Sequence, residues 1–158
     1  SRDYLFEEGK LVTKEMAELL CLELVEKRLV TNSITLHVGY TRRIERKSAH
    51  GTTSMTVTTS SANVIRNHVQ ALYEQIVDRF TPIRRITLTF NHVVDEELRQ
   101  YDLFTDPEEL EREHKLQQAM LEIKNKFGKN AILKGMNLQK GATTMERNRQ
   151  IGGHKSGE

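Results

Sequence analysis

The chain has 158 residues, 37% of them apolar and 29% charged, with a formal net charge of +2, which is room for one core of ordinary size plus appended segments. No apolar run approaches the roughly 20 residues that a membrane-spanning helix needs, and the opening residues lack the basic and apolar regions of a signal peptide. The single cysteine, Cys21, can close no internal disulfide, so the expectation is a cytoplasmic protein with no membrane partner.

The small net charge hides a pattern along the chain. Residues 1–32 carry five basic and seven acidic side chains, residues 33–94 eight and three, residues 95–113 two and nine, and residues 114–158 nine and three. A basic body, an acidic hinge and a basic tail suit a polyanion partner better than a small-molecule substrate.

Residues 11–30 read as an amphipathic helix. Met16, Leu20 and Leu24 recur at four-residue spacing, Ala17, Leu19 and Cys21 widen the stripe, and Lys14, Glu15, Glu18 and Glu26 mark a wet face. Thr13 is the expected N-cap, and Thr31-Asn32-Ser33 breaks the pattern. Ile34, Leu36, Val38 and Tyr40 then alternate with Thr35, His37, Gly39 and Thr41, the signature of a strand with one face buried. A polar connection over residues 42–54 leads to a second strand, in which Met55, Val57 and Thr59 oppose Thr56 and Thr58. Ser60-Ser61 caps a helix carrying Ile65, Val69, Leu72, Ile76 and Phe80, which Pro82 ends. In a third strand Ile86, Leu88 and Phe90 face inward, with Arg85, Thr87, Thr89 and Asn91 outward.

Helix, strand, strand, helix, strand is thus the order over residues 11–94. With Arg2 to Phe6 as the remnant of a first strand, this becomes β-α-β-β-α-β: an α+β, ferredoxin-like antiparallel sheet with two helices on one face. The other face stays open. Its expected side chains are Thr35, His37, Thr56, Thr58, Arg85, Thr87, Thr89 and Asn91, with no carboxylate among them. Hydroxyls and guanidinium groups suit phosphate oxygens and read no base identity. Aromatic stacking platforms are missing, which favours duplex backbone over single strands. Arg42, Arg43, Arg46 and Lys47 add a cationic loop at the same sheet. A solvated β-face rich in threonine for propensity reasons would look the same.

Beyond the sheet, Gln100-Tyr101-Asp102-Leu103-Phe104 ends in two large apolar side chains beside an acidic helix. Its glutamine amide can set a register and its Leu-Phe pair can fill an apolar cleft, the logic of a linear docking peptide. Stapling the start of the next helix is the local alternative. From Pro107 a helix carries a narrow apolar stripe of Leu110, Leu116, Ala119, Met120, Ile123 and Phe127, and residues 139–158 read as disordered in isolation. Acidic residues at 95–97 and 106–113 fall at a strand exit and in a helix's first turns, where the macrodipole favours them. The six histidines show no ligand spacing, so no metal site is expected. Gly152-Gly153 is too short and misplaced for a phosphate loop.

Taken together these residues resemble the little-finger domain and C-terminal tail of Y-family, UmuC/ImpB/MucB-type translesion DNA polymerases. Arg2-Asp3-Tyr4 is similar to the end of the first little-finger strand, and Ile34 to Tyr40, with its Gly-Tyr ending, and Ile83 to Phe90 are similar to later strands. Gln100 to Phe104 resembles the sliding-clamp-binding peptide of such enzymes, with Tyr101 at the usual leucine. Ile123 to Leu138 resembles their C-terminal helix and its exit, and Gly141 to Lys155 the tail of the Gram-positive branch.

The resemblance implies a little-finger domain over residues 1–94, a linker with the clamp peptide over 95–106, a helix and extension over 107–138, and a basic tail over 139–158. It implies phosphate contacts from Arg42, Arg43, Arg46, Lys47, Thr56, Thr58, Arg84, Arg85, Thr87 and Thr89, and clamp docking through residues 100–104. Partners would be duplex DNA, a bacterial sliding clamp and the remaining polymerase domains, in DNA repair, damage tolerance and the SOS response. The palm carboxylates that hold Mg2+ in such polymerases have no counterpart in the sequence, so no catalysis and no cofactor are expected of this chain. Two other readings stay open. One is a free-standing interaction or dimerisation module of the same fold, and the other a small hydrolase using His37 or His92.

Overall fold

The computed structural model describes residues 3–101, 103 and 105–128, and the backbone of Lys155–Ser156. Helix α1 spans Phe6–Lys27, strand β1 Leu29–Tyr40, β2 Ala49–Thr59, helix α2 Ala62–Ile76, β3 Ile83–Asn91, β4 Val94–Asp95, helix α3 Pro107–Phe127 and β5 Lys155–Ser156. The fold is α+β and ferredoxin-like, with an antiparallel sheet ordered β2-β1-β3-β5. The inward residues Ile34, Leu36, Val38, Ile86 and Leu88 share one core with α1 and α2, so both helices cover the same face.

Helix α1 begins five residues before its expected start, because the Leu5 amide N–H is bonded by the Glu8 carboxylate at 3.2 Å. Thr13 therefore lies inside the helix rather than capping it, and donates to the Gly9 carbonyl at 2.7 Å. The helix stops at Lys27, where Arg28 turns left-handed (φ 56°) and its N–H reaches the Leu24 and Val25 carbonyls. Glu15, expected on the wet face, is buried. The wet face is narrow because α1 meets α2 on one side and α3 on another.

The opening segment contributes a single bridge, Tyr4 to Ile83, with both amide–carbonyl bonds at 2.7 Å. Strand β1 starts at Leu29, so Thr31-Asn32-Ser33 does not interrupt it. The register shifts there, and the buried Thr31 hydroxyl donates to the Asn91 carbonyl. Strand β2 starts at Ala49, six residues before the expected Met55. Gly51 lies within it, because a Cβ there would come within 3.0 Å of Leu72 and 3.2 Å of Ile76; its missing side chain lets α2 sit close on the sheet.

Ser61 caps α2 as expected, accepting from the Val64 N–H at 3.2 Å. The helix ends at Ile76, and Val77 is extended. Phe80, expected in the apolar stripe, is 92% exposed. Asp78 explains the early stop: one carboxylate oxygen accepts the Phe80 N–H, the other the Thr81 hydroxyl, and its own N–H reaches the Tyr40 hydroxyl at 2.9 Å. A second break follows at the start of β3, where Gly39 pairs with Arg85 and Tyr40 with Ile83, leaving Arg84 as the extra residue of a bulge.

The segment expected as a linker is tied to the core over its first half. Strand β4 pairs with the start of β1, Arg99 donates to the Ser60 hydroxyl at 3.1 Å, and the Gln100 N–H reaches the Thr58 carbonyl at 2.8 Å. Asp106 caps α3, accepting from the Glu108 N–H at 2.9 Å. The expected stripe of α3 is its packed face only in part: Met120 lies against the core, but Leu116, Ile123 and Phe127 are exposed. Its contacts fall instead on Glu113, Gln117, Met120, Leu121 and Lys124. Glu113 accepts from the Ser61 hydroxyl and the Asn63 N–H, Gln117 donates to the Ser60 carbonyl, and Lys124 pairs with Glu26 at 3.6 Å. Leu121 and Met120 pack on Leu22 and Val25. Helix α3 ends at Phe127. The rest of the expected extension and the tail lie outside the described residues, the backbone of Lys155–Ser156 aside; that backbone pairs with Thr87 and Ile86.

Candidate nucleic-acid interface

The open face is built in rows by register. Strand β1 is central, so each outward residue has a neighbour on both sides. The rows are His50–His37–Thr87, Thr52–Thr35–Thr89 and Ser54–Ser33–Asn91, with Gly39 beside Arg85 at the end. Side chains link the rows laterally: the Thr35 and Thr52 hydroxyls are 2.8 Å apart, and the Asn91 amide donates to Thr35 at 2.8 Å and Ser33 at 3.3 Å. No carboxylate occupies any of these positions.

Cations collect at one end of this grid. The Thr41 N–H bonds the Pro82 carbonyl at 2.9 Å, so the loop over 42–48 leaves β1 beside the start of β3. Exposed Arg42, Arg43 and Lys47 thereby join Arg84 and Arg85 at the same sheet end. Arg46 does not point the same way, since its guanidinium lies 3.6 Å from Asp78. That carboxyl is held below its ordinary range, first by the Thr81 hydroxyl, then by the Phe80 N–H, and also by Arg46.

Of the expected threonines, Thr87 and Thr89 stand in the rows and Thr56 is exposed on β2. Thr58 does not join them: it is buried, and its hydroxyl donates to the Gln100 side-chain oxygen at 3.2 Å. His50, Thr52 and Ser54 were missed, while Ser33, in the same rows, is buried. The alternation of His50, Thr52, Ser54 and Thr56 with Ala49, Gly51, Thr53 and Met55 was available, but the polar run around Gly51 reads as loop.

Within the expected docking peptide, Gln100 is engaged by Thr58 through both backbone and side chain. Tyr101 is 69% and Leu103 97% exposed, while Asp102 and Phe104 lie outside the described residues. The helix side carries a groove of about 760 Å3 between α1, α2 and α3, lined in part by Leu22, Arg66, Leu116, Met120 and Ile123. There Arg66 reaches Glu18 at 3.4 Å, and burial raises the Glu18 carboxyl. Burial also pushes the Cys21 thiol well up, away from nucleophilic character. Among the described residues no three His, Cys, Asp or Glu side chains cluster as a metal site, and no helix is long and apolar enough to cross a membrane.

Comparison with known proteins bears on the family of the chain. A protein named for UV-damage repair, UvrX of Bacillus subtilis (strain 168), is 28% identical over 98% of the chain. DNA polymerase IV 2 of Halalkalibacterium halodurans is 25% identical over 94% of it. The chain spans 37% and 35% of those two proteins, little more than a third of each. No solved structure matches. Residues 2–103, the sheet with its two helices, match the impB/mucB/samB family C-terminal domain, and the chain belongs to that family as a Y-family DNA polymerase C-terminal domain.

Proposed function

We propose that this chain grips the backbone of primer-template duplex DNA without sequence preference and tethers a translesion polymerase to a sliding clamp. The observation that carries the reading is the open face: hydroxyl, amide and imidazole groups in rows that hold no carboxylate, the hydroxyls and amide partly hydrogen-bonded to one another, and five cations at one end. Short polar side chains let a phosphate backbone approach the strands closely, and guanidinium groups bind its oxygens in fork geometry. Family membership supports a role in DNA repair, with the remaining polymerase domains as partners.

Clamp docking rests on the exposed Tyr101 and Leu103, held out from the core just after Gln100 is pinned. Because Thr58 already occupies the Gln100 side-chain oxygen, the apolar residues carry the contact and Gln100 fixes where the peptide leaves the sheet. The Mg2+ chemistry of such polymerases finds no fitting carboxylate cluster among the described residues.

Mapping amide shifts on adding a short duplex tests the proposal. The account expects the largest shifts at residues 35–39, 50–54 and 84–89. Shifts confined to α1, α2 and α3 would overturn it and favour a protein-interaction module.

A further inference from the structure

We propose that His37 and His50 form a two-imidazole site for a borderline divalent transition metal ion, Zn2+, Ni2+ or Cu2+. The inference concerns the free protein and does not depend on the DNA reading. The two residues are 13 apart in sequence, a spacing with no meaning until the hairpin forms. Register then sets them directly opposite each other, between the Leu36–Gly51 and Val38–Ala49 pairs. Their ring centroids are 6.1 Å apart, with the planes at 69°.

Imidazole nitrogens bind such metals at about 2.0–2.1 Å, so one ion shared by two rings places the centroids roughly 5–6 Å apart, depending on the angle at the metal. The observed separation is at the upper edge of that range. Closing it takes rotation about the ring torsions, which are broad and soft. The strands are fixed beforehand, because a one-residue slip would turn Leu36 and Val38, both 0% exposed, to the open face.

The surroundings select the ion. Oxygen-seeking Mg2+ and Ca2+ want carboxylates, and the rows hold none, whereas neutral imidazole suits Zn2+, Ni2+ and Cu2+. Arg85 stands one row away, opposite Gly39, and its field opposes any cation, so the two nitrogens must supply the affinity. Remaining coordination positions face solvent and are open to water or to an anionic oxygen. The other described histidines bond elsewhere: His68 at the Val64 carbonyl, His92 at the Asn32 side chain and His114 at Gln118. Cys21 is buried and cannot compete.

The test uses the tag-free chain without DNA, titrated with Ni2+ or Zn2+ by calorimetry and with Cu2+ by electron paramagnetic resonance near neutral pH. The account expects one saturable equivalent with two nitrogen ligands on Cu2+. His37→Gln and His50→Gln should each weaken it on the order of tenfold or more, since even indirect ligand supports cost that much. His68→Gln, His92→Gln, His114→Gln and His154→Gln should leave it in place, with circular dichroism confirming that all variants fold. The absence of a saturable site, or full affinity in either the His37 or the His50 variant, would overturn the assignment. Because no DNA is present, either result leaves the DNA reading untouched.

Discussion

Gly9 sits where α1 crosses Tyr73, and replacing it with alanine sets two effects of known size against each other. In an exposed helix interior, Gly→Ala stabilises by about 1 kcal/mol through helix propensity. Here the new Cβ would lie 2.5 Å from the Tyr73 hydroxyl oxygen and 2.7 Å from Ile83 Cδ1. Overpacking of that kind costs about 1–3 kcal/mol. Tyr73 would also lose the bond its hydroxyl donates to the Phe6 carbonyl at 2.7 Å, and a buried hydroxyl left unpaired costs a further ~1–3 kcal/mol. The costs win, and Gly9→Ala should destabilise by about 1–5 kcal/mol, read as a lower urea midpoint with unchanged slope. Tyr73→Phe removes the atom in the way, so adding Gly9→Ala to that background should cost clearly less. Stabilisation by Gly9→Ala alone, or the same cost in both backgrounds, would refute the packing of α1 on α2.

Three further outcomes follow from the geometry. Because Asp78 is held below its ordinary range in the folded chain, first by Thr81, its contribution is present above the unfolded carboxylate range. It is lost as pH falls through the lowered value, so Asp78→Asn should flatten that part of an acid-unfolding profile; an unchanged profile counts against the turn. Glu113→Ala removes the carboxylate that accepts from Ser61 and Asn63 at the α2 N-terminus, and should cost about 1 kcal/mol. Limited proteolysis should then cut α3 sooner, and unchanged cleavage would mean that this carboxylate does not hold α3. Leu103→Ala should abolish co-elution with a bacterial sliding clamp while leaving duplex affinity as it was; retained co-elution would remove Leu103 from the docking contact.

Where side chains alternated strongly, the fold was legible. Ile34 to Tyr40 and Ile86 to Phe90 announced their strands, and Ser61 its cap. The failures share a cause, since each depends on what lies across the chain. Gly51 looks like a loop glycine until α2 is placed above it. Phe80 continues a helical period, but Asp78 has already turned the backbone. On α3, the greasier stripe of Leu116, Ile123 and Phe127 is exposed, because Glu113 and Gln117 find partners at the α2 N-terminus and orient the helix. On the candidate interface, Arg85, Thr87 and Thr89 of β3 were legible from period alone, whereas Arg84, which alternation would turn inward, depends on the bulge. The inward turn of Thr58 and the meeting of His37 with His50 needed the register.

The central claim, a phosphate-binding sheet end, is tested most directly by salt. Arg42, Arg43, Lys47, Arg84 and Arg85 are the five cations gathered there. If each neutralises one phosphate, the log–log slope of affinity against salt is about −4.5, or a loss of about 500-fold between 50 and 200 mM. Arg84→Ala/Arg85→Ala should bind more weakly at every salt, with a slope near about −2.7 and a loss of roughly 40-fold over the same interval. Fluorescence anisotropy of a labelled primer-template, titrated with both proteins at the two concentrations, reads all four affinities. A wild-type affinity that hardly changes with salt, or a double variant with the wild-type slope, would contradict the account.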